Sequence, residues 1–296
     1  MRLGQFSTSA SERPWCGAIV DDDTVVALPA AGDAAGIDVP RRLSSLFGRW
    51  HWAEKASMAV DYATEHGTAL ASLDDCRRHA PVTDPGKVVC VGLNYEDHAR
   101  ELDLDVPDEP VLFSKFPTAI TGPGDAVTWD PSYTESVDYE AELVVVVGRE
   151  ARDVSVGNAR EYVAGITVGN DVTARDLQER DGQWVRGKSL DTFAPLGPEL
   201  VTLDEVDDPH DLDVWTDLDG ERLQDSTTAN FIFGLDELVS ACSRAFTLRP
   251  GDLIFTGTPP GVGTSRDPPV QLDDGDRVTV GVEGVGELTN VCRHRE

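Results

Sequence analysis

Glu140 and Glu142 flank Ala141 at the head of an apolar run, residues 143–147, and Asp171 closes a second apolar segment, residues 164–170. Residues two apart on a strand point to the same face, so the two glutamates can converge on one ion while Ala141 packs behind them. With Asp171 they form an oxygen-only donor set that suits a hard cation. Magnesium, manganese or calcium fits such a set better than zinc, which usually recruits His or Cys. In a chain with 54 acidic residues a Glu-x-Glu pair also arises by chance, and a solvated strand entrance accounts for that pair taken alone.

Other side chains point to the same place. The chain has only four lysines against 21 arginines, so Lys188, in Val185-Arg-Gly-Lys-Ser, stands out. Its compact ammonium can stabilise an enolate or carboxylate beside an ion. Arg175 and Gln178 follow Asp171 by four and seven residues, and on a helix starting near Thr173 they share a face from which both can orient a bound acid. His98 and Glu101 are also spaced for one helical face, where the carboxylate fixes the imidazole tautomer and raises its basicity. By pattern alone an exposed helical ion pair is the plainer reading of that pair. The run at residues 256–263 holds three glycines, two prolines and Thr258, and its amides and hydroxyls can face a ligand. It lacks the Gly-Lys-Ser/Thr of a phosphate loop, and the chain carries no Gly-x-Ser-x-Gly elbow, so nucleotide binding and serine hydrolysis have no anchor.

These residues need strands to hold them. Short β-branched runs at residues 87–91, 110–113, 143–147, 252–255 and 277–282 outnumber the helical stretches at 95–102, 173–180 and 235–245. Strict strand–helix alternation does not fit, and a rolled or sandwiched mixed sheet in a β-rich α+β fold does. Residues 1–80 have a different texture: two strand-like runs at 16–20 and 24–28, then helical patterns in which Trp50, Trp52, Met58, Val60 and Tyr62 are expected to pack inward. The sequence thus predicts a small N-terminal α+β domain over 1–80, a Pro- and Gly-rich linker at 81–86, and a catalytic domain over 87–296.

At 296 residues and 32.0 kDa the chain can bury a large core. No apolar run reaches about eighteen residues and the N-terminus lacks a signal-peptide pattern, so a soluble, cytoplasmic protein is expected. Five scattered cysteines with no Cys-x-x-Cys spacing indicate reduced thiols without a zinc or disulfide framework. A net charge of −29 and a pI near 4.3 repel nucleic acid and anionic membranes. The acidity is spread along the chain, with 35 aspartates and 19 glutamates, and resembles that of a halophilic protein. In molar salt the Debye length of about 3 Å screens such self-repulsion.

Taken in order, the segments resemble the fumarylacetoacetate hydrolase family: Val91-Gly-Leu-Asn-Tyr with His98 and Glu101, Asp138-Tyr-Glu-Ala-Glu-Leu, Asn170-Asp-Val-Thr-Ala-Arg-Asp-Leu-Gln178, Arg186-Gly-Lys-Ser, and Thr256-Gly-Thr-Pro-Pro-Gly-Val-Gly. The match runs over residues 85–296. The resemblance implies Mg²⁺ or Mn²⁺ on Glu140, Glu142 and Asp171, an active-site lysine at Lys188, a water-activating pair on a lid helix at His98 and Glu101, and substrate contacts at Arg175, Gln178 and Thr258. It also implies a mixed β-roll, a homodimer and a 2-oxo acid substrate, whose enolate such a site stabilises. The first expectation is hydrolysis of a carbon–carbon bond in a 2,4-dioxo acid. The alternative is a lyase or isomerase acting on 2-oxo acids (hydratase, dehydratase, decarboxylase or tautomerase). The longer turn at residues 264–271 departs from the pattern of simple hydrolases and is similar to the subgroup with hydroxymuconate isomerase/decarboxylases, and the sequence does not choose among these reactions.

Overall fold

The structure, a computed structural model, describes residues 1–295. Its centre is the strand Ala141–Val147, in which every residue is buried. Five consecutive Leu and Val side chains make this the strand best suited to being covered on both faces. Alternation sends Leu143, Val145 and Val147 into one core, with Val214, Val278, Val280 and Val282 of a second sheet. Val144 and Val146 enter another core, with Leu3, Leu28, Leu46 and Phe255. Full burial of each such side chain is worth about 1.5–3 kcal/mol, so the strand is firmly anchored where it presents the polar groups at its head.

The larger sheet has twelve strands. On one side Ala141–Val147 pairs antiparallel with Val163–Asn170, which leads through Ala194–Val201 to the N-terminal strands Arg2–Thr8, Ser11–Ile19 and Thr24–Ala27. On the other it pairs with Leu253–Phe255, followed by Val88–Gly92 in parallel and Val111–Lys115 at the edge. A five-stranded sheet runs Glu221–Thr227, Asp213–Leu218, Arg277–Val282, Gly286–His294, Ala126–Trp129. This is the mixed, strand-rich fold the sequence predicts.

The N-terminal strands continue the same sheet, with Leu3 opposite Leu200. Two inward-packing expectations fail there: Trp50 is 77% exposed and Met58 57%. The helix Trp52–His66 instead buries Ala56, Ala59 and Ala63, facing the helix Leu28–Ala35. A small-residue stripe permits close helix approach and leaves the bulky side chains outside or, as for Trp52, Val60 and Tyr62, half-buried. The helix expected over 173–180 runs Arg175–Asp181, because Thr173–Ala174 are taken into a short ladder with Val137–Asp138. No helix among the described residues is long and apolar enough to cross a membrane.

Candidate metal centre and its cavity

Register decides the first contact. Ala141 lies opposite Asn170, so one step beyond the ladder Glu140 faces Asp171, whose amide donates to the Glu140 carbonyl at 2.9 Å. The Asn170 side chain accepts from the Glu140 amide at 3.0 Å and fixes that end. Carboxylate oxygens of Glu140, Glu142 and Asp171 then lie within 4.8 Å of one another, all three residues buried.

Such a cluster needs cations. Lys188 Nζ donates to Glu140 at 2.7 Å and to Asp171 at 2.8 Å. Lys115 Nζ donates to the other Asp171 oxygen at 2.5 Å and to the Val172 carbonyl at 3.0 Å. Arg175 pairs with Glu140 at 2.7 Å and with Asp138 at 2.8 Å, and donates to Gln178 at 3.2 Å. Its second terminal nitrogen, also 2.8 Å from Asp138, is off line and makes no hydrogen bond. Glu142 is different: it is in no ion pair among the described residues, and the only hydrogen bond to its side chain there comes from the Gly257 amide, at 2.7 Å. Gly257 has φ +97°, and a Cβ there would come 2.9 Å from Asn94 Cβ, so this position calls for glycine.

The protonation states follow from these partners. Burial pushes Glu140 up, but Lys188 and Arg175 outweigh it and hold the carboxyl below its ordinary range. Burial, then Asp171 and Glu140, push Glu142 well above it. Burial lowers Lys115, whereas for Lys188 the facing Asp171 and Glu140 overcome burial and raise it. A buried carboxylate without a cation, beside two others, fits a divalent ion: all donors are oxygens, and the site is short of positive charge at Glu142.

A cavity of about 210 Å³ opens beside this cluster, lined by Glu140, Arg175, Gln178, Lys188, His98 and Thr258, with Phe113 and Trp184 among its apolar walls. His98 is buried, not the exposed ion-pair partner that pattern alone favours. Its Nδ1 lies 2.9 Å from Glu101, which accepts from the Gly261 amide at 3.0 Å. The other ring nitrogen has no hydrogen-bond partner among the described residues, and the residue lines the cavity. A larger cavity of about 510 Å³ lies beside Phe47, Trp50 and Arg149, and none of its lining residues belongs to the carboxylate cluster. Volume alone does not mark a site; convergent charge does.

Every residue singled out in the sequence for ion, acid or base chemistry therefore lies in or directly behind one cavity. Sequence reasoning passed over Lys115, Asp138, Gln224, Phe113 and Trp184. The lysine scarcity that marks Lys188 applies equally to Lys115, which ends an edge strand. Phe113 and Trp184 pack edge to face at 5.2 Å, and the Lys188 ammonium lies 5.2 Å from the Phe113 ring centre.

The chain is similar to known proteins over this region. The family profile described as "Fumarylacetoacetate (FAA) hydrolase C-terminal" matches residues 87–293. A fumarylacetoacetate hydrolase domain-containing protein 2 homolog of Dictyostelium discoideum is 45% identical over 80% of this chain and 81% of its own length. A mitochondrial oxaloacetate tautomerase of Bos taurus is 50% identical over 71% of this chain and 68% of its own. Among solved structures, a fumarylacetoacetate hydrolase from Exiguobacterium antarcticum superposes with a TM-score of 0.86 at 36% identity, covering 100% of both chains. A 5-carboxymethyl-2-hydroxymuconate delta-isomerase from Mycobacterium smegmatis does so with 0.78 at 34%, again over 100% of both.

Proposed function

Because this chain belongs to the fumarylacetoacetate hydrolase family, we propose that it is a Mg²⁺- or Mn²⁺-dependent enzyme that moves a proton between carbon and oxygen of a small 2-oxo acid, as a keto–enol tautomerase or isomerase. The observation that carries this is one small cavity walled by His98, Lys188 and Glu140, with the other two carboxylates behind it. The names of the relatives favour the isomerase side of the choice that the sequence left open.

Glu140, Glu142 and Asp171 would hold the ion. When bound it would polarise the oxygens of a 2-oxo acid and so acidify the adjacent carbon. Arg175, held by Asp138 and Glu140, and Gln178 beside it orient the substrate carboxylate. His98, its Nδ1 tied to Glu101, takes the proton from carbon 3 with its free nitrogen and returns it to the oxygen at carbon 2. Lys188 places positive charge where the enolate develops. Hydrolysis is the second reading: the His98–Glu101 pair has the geometry to activate water, and on an acylpyruvate that step would break the bond between carbons 3 and 4.

The test follows the loss of enol oxaloacetate by ultraviolet absorbance with Mg²⁺, with EDTA, and with His98→Ala. Rapid loss that needs Mg²⁺ and His98 is expected. No acceleration, together with acetate and pyruvate released from acetylpyruvate, would replace the tautomerase by the hydrolase. All named site residues lie within 87–296, so we assign the chemistry to that part and treat 1–80 as an extension of its sheet. A homodimer and a cytosolic location complete the proposal, and sedimentation tests the former.

A further inference from the structure

Thr258 lines the cavity, and behind it stands Gln224, a side chain with no solvent exposure on the neighbouring five-stranded sheet. Gln224 makes four hydrogen bonds. Its Oε1 accepts from the Ala141 amide at 3.0 Å and from Thr216 Oγ1 at 2.6 Å. Its Nε2 donates to Thr258 Oγ1 at 2.9 Å and to the Pro259 carbonyl at 2.8 Å. The amide cannot be turned over, because two partners allow one assignment only: a backbone N–H must face oxygen and a backbone carbonyl must face nitrogen. The Thr258 hydroxyl is therefore an acceptor toward Gln224. Its own proton is donated to nothing among the described residues, and the residue lines the cavity.

We infer that Gln224 is a positioning residue that sets the direction of the Thr258 hydroxyl, so that Thr258 donates a hydrogen bond to an anionic oxygen of the 2-oxo acid. The same amide ties Ala141, the residue between Glu140 and Glu142, to the loop that carries Thr258 and Gly257. One side chain thus couples the two sheets at the site. The inference rests on the proposed acid-binding site but not on which reaction follows.

Oxalate, a non-reacting analogue of a 2-oxo acid enolate, is the probe, with affinity measured by calorimetry in saturating Mg²⁺. Gln224→Glu keeps an acceptor for Ala141 but presents a second acceptor to Thr258, whose proton then turns away from the cavity. Thr258→Val removes the hydroxyl. Each is expected to weaken oxalate about tenfold or more, the effect of one charge-assisted hydrogen bond. Thr258→Ser is expected to restore affinity. The double variant Gln224→Glu with Thr258→Val should be no worse than Thr258→Val, since orientation is irrelevant once the hydroxyl is gone. Gln224→Met, uncharged and of similar length, repeats the test if the Glu variant does not fold.

Multiplicative losses in the double variant would overturn the inference, as would wild-type affinity in Gln224→Glu. Loss of Mg²⁺ binding in Gln224→Glu but not in Thr258→Val would overturn it too, by moving the role to the Glu140–Glu142 segment. A wild-type protein that binds Mg²⁺ but no oxalate refutes the acid-binding site itself. Oxalate binding without turnover of oxaloacetate or acetylpyruvate refutes only the reaction.

Discussion

Two regions of this molecule carry dense ion pairing, to opposite ends. Under the cavity, Asp138, Glu140 and Asp171 meet Lys115, Lys188 and Arg175 with almost no solvent. On the outer hairpin of the five-stranded sheet, Arg222 pairs with Asp217 at 2.5 Å and with Asp225 at 3.4 Å, while remaining 46% exposed. Exposed pairs contribute about 0–1 kcal/mol, and salt screens them. Buried pairs cost several kcal/mol of desolvation per ion, and an apolar replacement of the whole set is often at least as stable. Their presence in the interior points to chemistry more than to stability, whereas the exposed hairpin pairs add little to either. The uneven pairing inside supports this: three carboxylates have cations and Glu142 has none.

The contrast predicts a graded series of effects. Glu140→Ala should be the most severe, lowering Mg²⁺-dependent kcat/KM by about a thousandfold or more, because it removes a proposed ligand and a partner of both Lys188 and Arg175. Retained turnover at saturating Mg²⁺ would dissolve the distinction between the two regions. Next comes Lys115→Met, which leaves one oxygen of fully buried Asp171 without its cation. It should destabilise the metal-free protein by about 3–5 kcal/mol in urea unfolding, and Mg²⁺ should recover part of the loss.

A smaller effect concerns protons. Glu142 is raised by burial, Asp171 and Glu140, so its stabilising contribution is complete below the pKa of an unfolded glutamate and is lost as pH rises through its folded value. An ion arriving there must displace the proton. Mg²⁺ affinity should therefore strengthen with pH across the folded-state titration, with a fraction of a proton released per ion, read by calorimetry in buffers of different ionisation enthalpy. Glu140, lowered by Lys188 and Arg175 despite burial, has the opposite sign: its contribution is present above the unfolded pKa and is lost as pH falls through the folded one. The smallest effect belongs to the surface. Arg222→Ala should cost less than about 1 kcal/mol in dilute buffer and nothing measurable in molar salt. A loss comparable to that of Lys115→Met would remove the contrast.

Legibility in the sequence followed the same divide. The strand Ala141–Val147 stood out because an unbroken Leu/Val run is a strong signal. The helix Leu235–Ala245 fell on its expected bounds, since its apolar positions repeat at the helical period and Asp236 and Glu237 mark its first turn. The strands Arg2–Thr8 and Glu221–Thr227 were not singled out. Four of seven residues in the first and six of seven in the second are polar. The first is held by ladders to the remote strands Ala194–Val201 and Arg77–His79, and the second by its hairpin with Asp213–Leu218, more than by any local preference. Met58 was misplaced because apolar character alone does not say which face of a helix meets a neighbour, and here an alanine stripe does; Trp50 lies in the turn before that helix, outside its packed face.

By itself the sequence determined the donor types: three carboxylates, scarce lysines, one His–Glu pair and a glycine-rich turn at residues 256–263 whose amides can face a ligand. Those are properties of residue identity and short-range spacing, which local geometry turns into shared faces. Only the tertiary structure decided which groups meet. The pairing of Ala141 with Asn170 brings Asp171 opposite Glu140, Lys115 arrives from the far edge of the sheet, and Gln224 reaches across from the second sheet. Contacts between residues 30 to 83 positions apart depend on register and sheet packing, and those are settled by burial of the whole core.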